Sequence, residues 1–264
     1  MINVLFGGNY KVADGLLISV LSIVKHTDRP LNITCMTMDL TDKTPAGKPI
    51  SQSFSDLINK IIKEKNPESK FTIIDMTKPF NECLSNSVNL ETHFTPYTML
   101  RLLADKVEMP DRYIYLDTDT IINRDLGLLF DYDIGDAELG VVRDAYRISK
   151  TYFNAGVMLV NHKACLESKL YERARELVNN KKMLYVDQAA LNLSCKNRVM
   201  LPLIFNSKSK YYPEIVVHHF CDVRKHFFHR IKPWEVDLVK EKMHAYDDIL
   251  DEYLRLKESK AWEY

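Results

Sequence analysis

The sequence carries no excess of charge: 36 Lys and Arg side chains face 36 Asp and Glu. Phosphate backbones are usually bound through a basic surplus, so this balance argues against nucleic acid as the main partner. Cysteine is sparse. The 5 that occur, Cys35, Cys83, Cys165, Cys195 and Cys221, are scattered and odd in number, and none is spaced as Cys-x-x-Cys. That makes a poor disulfide framework and a poor zinc site, and points to free thiols in a reducing cytoplasm. Long apolar runs are missing too, since none approaches the ~20 residues of a membrane-spanning helix. The first residues lack the basic segment, apolar stretch and cleavage site of an export leader. The expected setting is therefore cytoplasmic, with any membrane contact peripheral to the inner face. Repeats, low-complexity tracts and obvious linkers are also lacking.

What is present reads as an ordinary globular chain. Its 264 residues, 46% hydrophobic and 27% charged, suffice for one large α/β domain or two small ones. The apolar run from Ile2 to Phe6 stops at Gly7-Gly8. Helical spacing then begins with Leu16, Leu17, Val20, Leu21, Ile23 and Val24. Strand, glycine turn and helix are how an α/β nucleotide-binding domain opens. Further strands are expected over 31–38, 71–76, 113–116, 138–142, 155–161 and 215–219, and helices over 54–65, 97–107, 169–181 and 187–195. This alternation predicts a mixed, mostly parallel sheet with helices on both faces. Residues 1–236 read as the main domain. A single amphipathic helix is expected over 237–257, packed on that domain, with Leu238, Met243, Tyr246, Ile249, Leu250, Tyr253 and Leu254 as its apolar set. Its mixed charges suit a packing or homodimer surface better than a membrane anchor.

The strongest chemical signal is Tyr113-Ile114-Tyr115-Leu116-Asp117-Thr118-Asp119. An apolar strand leads to two carboxylates at its C-terminal end, where open α/β sheets bind ligands. Side chains alternate along a strand, so Asp117 and Asp119 can point the same way. Two such carboxylates repel and call for a cation, and oxygen ligands suit Mg²⁺ or Mn²⁺. Alone, the pair is more often a solvated turn or a helix cap. Here it lies between an apolar strand and Ile121-Ile122, an unusual place for a solvated turn. A second cluster, His218, His219, Arg224, Lys225, His226, His229 and Lys232, follows a late apolar strand. A histidine at the end of that strand is a natural third ligand, and its basic neighbours could neutralise a pyrophosphate. Without the acid pair, a solvated basic segment would be the better reading. Asn154-Ala155-Gly156 permits close backbone approach to a ligand, although for this stretch alone a buried strand after a turn is the better reading. Asp187-Gln188 opens a helix, where Asp187 could be simply an N-cap.

Taken in order, these stretches resemble glycosyltransferase family 8, a group of retaining enzymes that includes bacterial lipooligosaccharide galactosyltransferases and the glycogenins. Phe6 to Tyr10 resembles the family's opening strand and uridine-binding turn. Arg101-Leu102 with Tyr115-Leu116-Asp117-Thr118-Asp119, Phe153-Asn-Ala-Gly-Val157, Asp187-Gln188 with Leu191-Asn192, and His219 with Lys232-Pro233-Trp234 resemble its later motifs. The resemblance implies a GT-A fold, Rossmann-like, and transfer of glucose or galactose from a UDP-hexose. The acceptor would be an oligosaccharide, lipid-linked saccharide or glycoconjugate, as in polysaccharide biosynthesis. It further implies that Asp117, Asp119 and His219 bind Mn²⁺ or Mg²⁺. Phe6, Gly7, Asn9, Tyr10 and Thr118 would line the nucleotide site, and Arg101 and Lys232 would hold the donor. Asp144, Asn154, Asp187 and Gln188 would meet the transferred sugar. Two departures stand out. Gly7-Gly8-Asn9 replaces a turn that is acidic in many members, and the segment between His219 and Lys232 is long, with Asp222 where glycine is expected. A sugar nucleotidyltransferase and a degenerate carbohydrate-binding protein are the competing readings. The first usually has a basic glycine-rich loop after the opening strand, which is lacking here.

Overall fold

In the computed structural model, residues 1–90, 96–144, 149–208, 211–221 and 231–262 are described. β1 (Ile2–Gly7) leads through a 3-10 turn (Tyr10–Val12) into α1 (Ala13–His26). β2 (Leu31–Thr37), α2 (Gln52–Lys65), β3 (Lys70–Asp75) and α3 (Thr77–Leu84) follow. Ser51 starts α2 by accepting from the Phe54 N–H (3.2 Å), the usual N-cap bond. β4 (Arg112–Leu116), β5 (Thr120–Ile122) and α4 (Gly127–Phe130) occupy the middle of the chain. β6 (Leu139–Arg143), β7 (Phe153–Asn161), α5 (His162–Glu167), α6 (Leu170–Asn180) and α7 (Val186–Ser194) come next. β8 (Arg198–Leu201), β9 (Val217–His219), α8 (Val236–Lys242) and α9 (Asp247–Glu258) complete the order.

The main sheet is seven-stranded, in the order β3-β2-β1-β4-β7-β6-β8. Its pairs are parallel except for β4 with β7 and β7 with β6. β5 and β9 form a separate antiparallel ribbon, whereas β9 was expected simply as a late strand. Alternation along the strands builds a core on each face. Ile2, Val4, Phe6, Ile114, Leu116, Val157 and Leu159 pack with α1, α2 and α9. Leu5, Tyr113, Tyr115, Met158 and Val160 pack with α6, α7 and the helix over 96–106.

Two helical expectations change. The segment expected as a helix over 97–107 winds as a 3-10 helix, Pro96–Lys106. The single helix expected over 237–257 is two helices, broken at Met243 (φ −149°, ψ 66°) and rejoined by a 3-10 turn, His244–Tyr246. The break lets the Tyr246 hydroxyl meet His218 Nδ1 at 2.8 Å. The apolar face of α9 (Ile249, Leu250, Tyr253, Leu256) lies in the core, so it is not free to form the homodimer surface considered for it. Asp14 and Asp248 flank the packed helices with ion pairs to Lys257 and Lys25, 3.0 Å each. No described helix is long and apolar enough to cross a membrane.

Candidate metal and donor site

The acid motif lies where β4 runs out. Tyr113 and Tyr115 share one face of the sheet, and Asp117 continues that alternation, accepting from the Tyr115 hydroxyl at 3.1 Å. The Asp117 N–H donates to the Gly156 carbonyl (2.7 Å), extending the ladder with β7. β5 then pairs with β9 so that Thr120 stands opposite His219. The Phe220 N–H donates to the Asp119 carbonyl (2.8 Å). This register brings together residues 100 positions apart: His219 Nε2 is 3.1 Å from Asp119 Oδ1 and 3.6 Å from Asp117 Oδ2.

These residues fit a divalent cation. One ligand atom from each of Asp117, Asp119 and His219 lies within 4.8 Å of the others. Ligands bound at about 2.1 Å stand about 3–4 Å apart, so a small inward shift closes the set. Gly156 is the floor of this cradle: a Cβ there would stand 2.6 Å from Asp117 Oδ2 and 2.9 Å from His219 Nδ1. Gly15 supports it from behind. A Cβ on Gly15 would come 2.6 Å from the Trp234 ring and strike the Thr118 carbonyl, so glycine lets α1 press against the acid turn. Burial opposes the charge on Asp119, but His219 and Lys232 outweigh it and hold the carboxyl well below the usual carboxylate range. Burial also opposes a protonated His219, yet Cys221 and Asp119 push its pKa up. The Lys232 ammonium is paired with Asp119 Oδ2 and lies 5.7 Å from the centre of the Trp234 ring.

Arg101 is the hub behind the cluster. Its Nη2 donates to Asp117 Oδ1 (2.7 Å), its Nη1 to the Ala155 carbonyl (2.7 Å) and its Nε to the Thr98 carbonyl (3.1 Å). Nε is also 3.0 Å from Asp187 Oδ2, and the guanidinium stacks 4.3 Å over Tyr115. At 7% exposure, Arg101 turns its donors onto protein acceptors. These bonds make Arg101 an orienting group for Asp117 and Asp187. The N-cap explanation of Asp187 falls. The cap is Tyr185, and Asp187 sits in the first turn of α7. Burial pushes its pKa up, and Arg101 only partly offsets that.

A second set of amides joins the cluster from the β7 side. Gln188 Oε1 accepts from the Ala155 N–H (3.1 Å) and from Asn154 Nδ2 (2.9 Å). Asn154 Oδ1 accepts from the Gly156 N–H (3.0 Å) and from Asn206 Nδ2 (3.0 Å). Asn206 Oδ1 then faces His219 Nδ1 at 2.9 Å. Asn206 and Gly15 were not singled out from the sequence, and Tyr115 entered only as part of the β4 motif, without a role of its own. The one available signal was the spacing of Tyr115, two residues before Asp117.

The remaining candidates divide. Phe6 is fully buried in the core, which leaves only its backbone for a ligand. Gly7 and Tyr10 flank the first turn, and the Tyr10 N–H donates to the Lys48 carbonyl (3.3 Å). Asn9 is 7% exposed, and its side chain serves the protein. It donates to the Ala46 carbonyl (3.0 Å) and accepts from the Lys11 N–H (3.2 Å). Asp144 pairs with Lys208 at 3.3 Å. Thr118 is buried and presents its carbonyl to Gly15. Asp222, Arg224, Lys225, His226 and His229 lie outside the described residues. A surface groove lined by Arg173, Glu176, Leu177 and Leu193 includes none of these candidates.

The model of Glycosyl transferase family 8 matches residues 3–237. The chain belongs to this family. A Haemophilus influenzae protein named as a glycosyltransferase is 25% identical over 263 residues, covering 86% of this chain and 73% of its own. Glycosyltransferase GlyA of Streptococcus pneumoniae is 29% identical over 203 residues, covering 69% of this chain but only 27% of its own. The chain therefore spans most of one such relative and about a quarter of the other. Among solved structures, an active-site mutant of LgtC superposes with a TM-score of 0.73 at 19% identity, over 95% of this chain and 96% of that one. GlyE of S. pneumoniae gives 0.66 at 20% identity, covering all of this chain and 66% of that one. The fold is GT-A. Family membership makes the chemistry glycosyl transfer and sets aside the nucleotidyltransferase reading.

Proposed function

We propose that the chain is a retaining hexosyltransferase that moves glucose or galactose from a UDP-sugar to a saccharide or glycoconjugate. Residues 1–236 would form the catalytic domain, with 237–264 as a brace. The observation that carries this reading is the convergence of Asp117, Asp119 and His219 at the exit of β4. In this reading they hold Mn²⁺ or Mg²⁺, which would supply Lewis-acid stabilisation of the leaving pyrophosphate. Lys232, adjacent to Asp119, supplies a second positive charge on the pyrophosphate side. Gly7 and Tyr10 line the nucleoside end, with Asn9 fixing the shape of that turn rather than contacting the base. Asn154, Asp187, Gln188 and Asp144 border the sugar.

Gln188 Oε1 is tied to Ala155 and Asn154, and Asp187 is tied to Arg101. Neither is a free nucleophile, which favours attack by the acceptor on the face from which UDP departs. The amide nitrogen of Gln188 then serves to position the reacting sugar. Free thiols and the lack of a described spanning helix favour a cytoplasmic setting, with any membrane contact peripheral to the inner face.

A panel of UDP-sugars with Mn²⁺, scored for released UDP, tests the assignment. Release from UDP-glucose or UDP-galactose is expected. It should fall on the order of 10³-fold in Asp119→Ala while the variant keeps its circular-dichroism spectrum. Full activity in that variant, with metal still required, would remove Asp119 from the site. No release from any UDP-hexose with saccharide acceptors present would overturn the donor class.

A further inference from the structure

The amide chain on the β7 side reads in one direction, and each link fixes the next. A backbone N–H can only donate. The Ala155 N–H therefore makes the Gln188 atom that faces it an oxygen, and the Gly156 N–H does the same for Asn154. With Asn154 Oδ1 fixed as an acceptor, the Asn206 atom 3.0 Å away must be its NH2. The other end of Asn206 is then an oxygen, and it accepts from His219 Nδ1 at 2.9 Å. Nδ1 must carry a proton, and Nε2 is the nitrogen aimed at Asp117 and Asp119. Asn206 is 4% exposed and His219 1%, so water does not readily replace these partners. Cys221 Sγ also lies 3.2 Å from Nδ1, but a thiol is a weak acceptor beside an amide carbonyl.

We propose that Asn206 is a positioning residue for the metal site. Its carbonyl holds His219 in the Nδ1–H form, which reserves the Nε2 lone pair for the cation, and its amide NH2 links that orientation to Asn154 and Gln188. The proposal rests on the assignment of Asp117, Asp119 and His219 as ligands. Histidine ligands commonly depend on such outer partners, whose loss weakens metal binding about 10–100-fold. Here the partner also joins the cation to the residues bordering the sugar, so ion and donor geometry are set by one hydrogen-bonded chain.

Two substitutions separate the two ends of Asn206. Asn206→Ala removes both and should weaken Mn²⁺, measured by calorimetry without nucleotide, by about 10–100-fold. Asn206→Asp keeps the acceptor for Nδ1 but sets a carboxylate against Asn154 Oδ1. It should retain Mn²⁺ affinity while kcat falls, a split that general loss of structure does not produce. In the metal-free protein, NMR should show a slowly exchanging His219 Nδ1 proton in the wild type and in Asn206→Asp, but not in Asn206→Ala. Equal Mn²⁺ affinity in wild type and Asn206→Ala would overturn the proposal. So would Mn²⁺ weakened by Cys221→Ala but not by Asn206→Ala. If the wild type itself binds no Mn²⁺, the ligand assignment fails, and a protected Nδ1 proton that survives Asn206→Ala overturns the relay independently.

Discussion

At the level of single side chains, the site is held by atoms that are small or fully committed. Gly156 is the clearest case, because its missing Cβ is the space in which Asp117 and His219 meet. Gly156→Ala is expected to weaken Mn²⁺ at least about 10-fold, while costing only about 1–3 kcal/mol of fold stability. Calorimetry and a urea titration on the same variant check the two numbers. A variant that loses stability yet keeps full metal affinity would contradict the role given to this glycine. The acid pair was readable because an apolar strand stops at it, and His219 because it ends another apolar run. Asn206 was not readable. An asparagine after Leu203-Ile204-Phe205 has no local pattern, and its role exists only once β9 has brought His219 alongside. Arg101 and Asp187 are legible as site residues, but the ion pair between them is not. Their mutual pairing is a tertiary contact that neither helical segment announces.

Elements show a similar division between what periodicity reports and what packing decides. The alternating strands and the longer helices were legible, while α3, α5, β5 and β8 were too short to display a period. The break at Met243 was hidden because the apolar spacing continues through it. It is imposed from outside, by Tyr246 reaching His218. Leu250, fully buried where α9 meets the core, should lose about 2–5 kcal/mol on replacement by Ala, with transfer per folded molecule unchanged. Denaturant midpoints together with the UDP-release assay check this. On the other face, Glu138 ties the turn before β8 to α6. It accepts from the Lys196 N–H (2.6 Å) and the Asn197 N–H (3.1 Å) and lies 3.4 Å from Arg173 Nη2. Burial disfavours its charge, but the hydrogen bonds from Ser168, Asn197 and Lys196 outweigh burial and lower its pKa. A folded-state pKa below the unfolded value means this contribution is present above about pH 4.3 and is lost as pH falls through the folded value. Glu138→Gln should therefore cost about 2 kcal/mol at pH 7. The gap to wild type should narrow in stability curves taken toward pH 3, and a constant gap would show that the charge is irrelevant.

For the molecule as a whole, metal and nucleotide should behave as folding ligands. Mn²⁺ at 100 times its Kd adds about 2.7 kcal/mol, which is a rise of about 5–10 °C in melting temperature for a chain of this size. EDTA should reverse the shift, and Asp119→Ala should not show it. An unchanged melting curve in saturating Mn²⁺ would count against the proposed centre. The architecture also explains how motifs so distant in sequence share one rim. Asp117 leaves the last residue of β4, whereas Asn154 and Gly156 sit at the beginning of β7. These places coincide because β7 runs against β4, with Leu116 opposite Val157. A strand of 9 residues is about 30 Å long. If the chain had entered β7 from the opposite end, Asn154 and Gly156 would lie at the far end of the strand from the carboxylates. One reversal of direction in an otherwise mostly parallel sheet thus gathers carboxylates, imidazole and amides from distant parts of the chain onto a single rim.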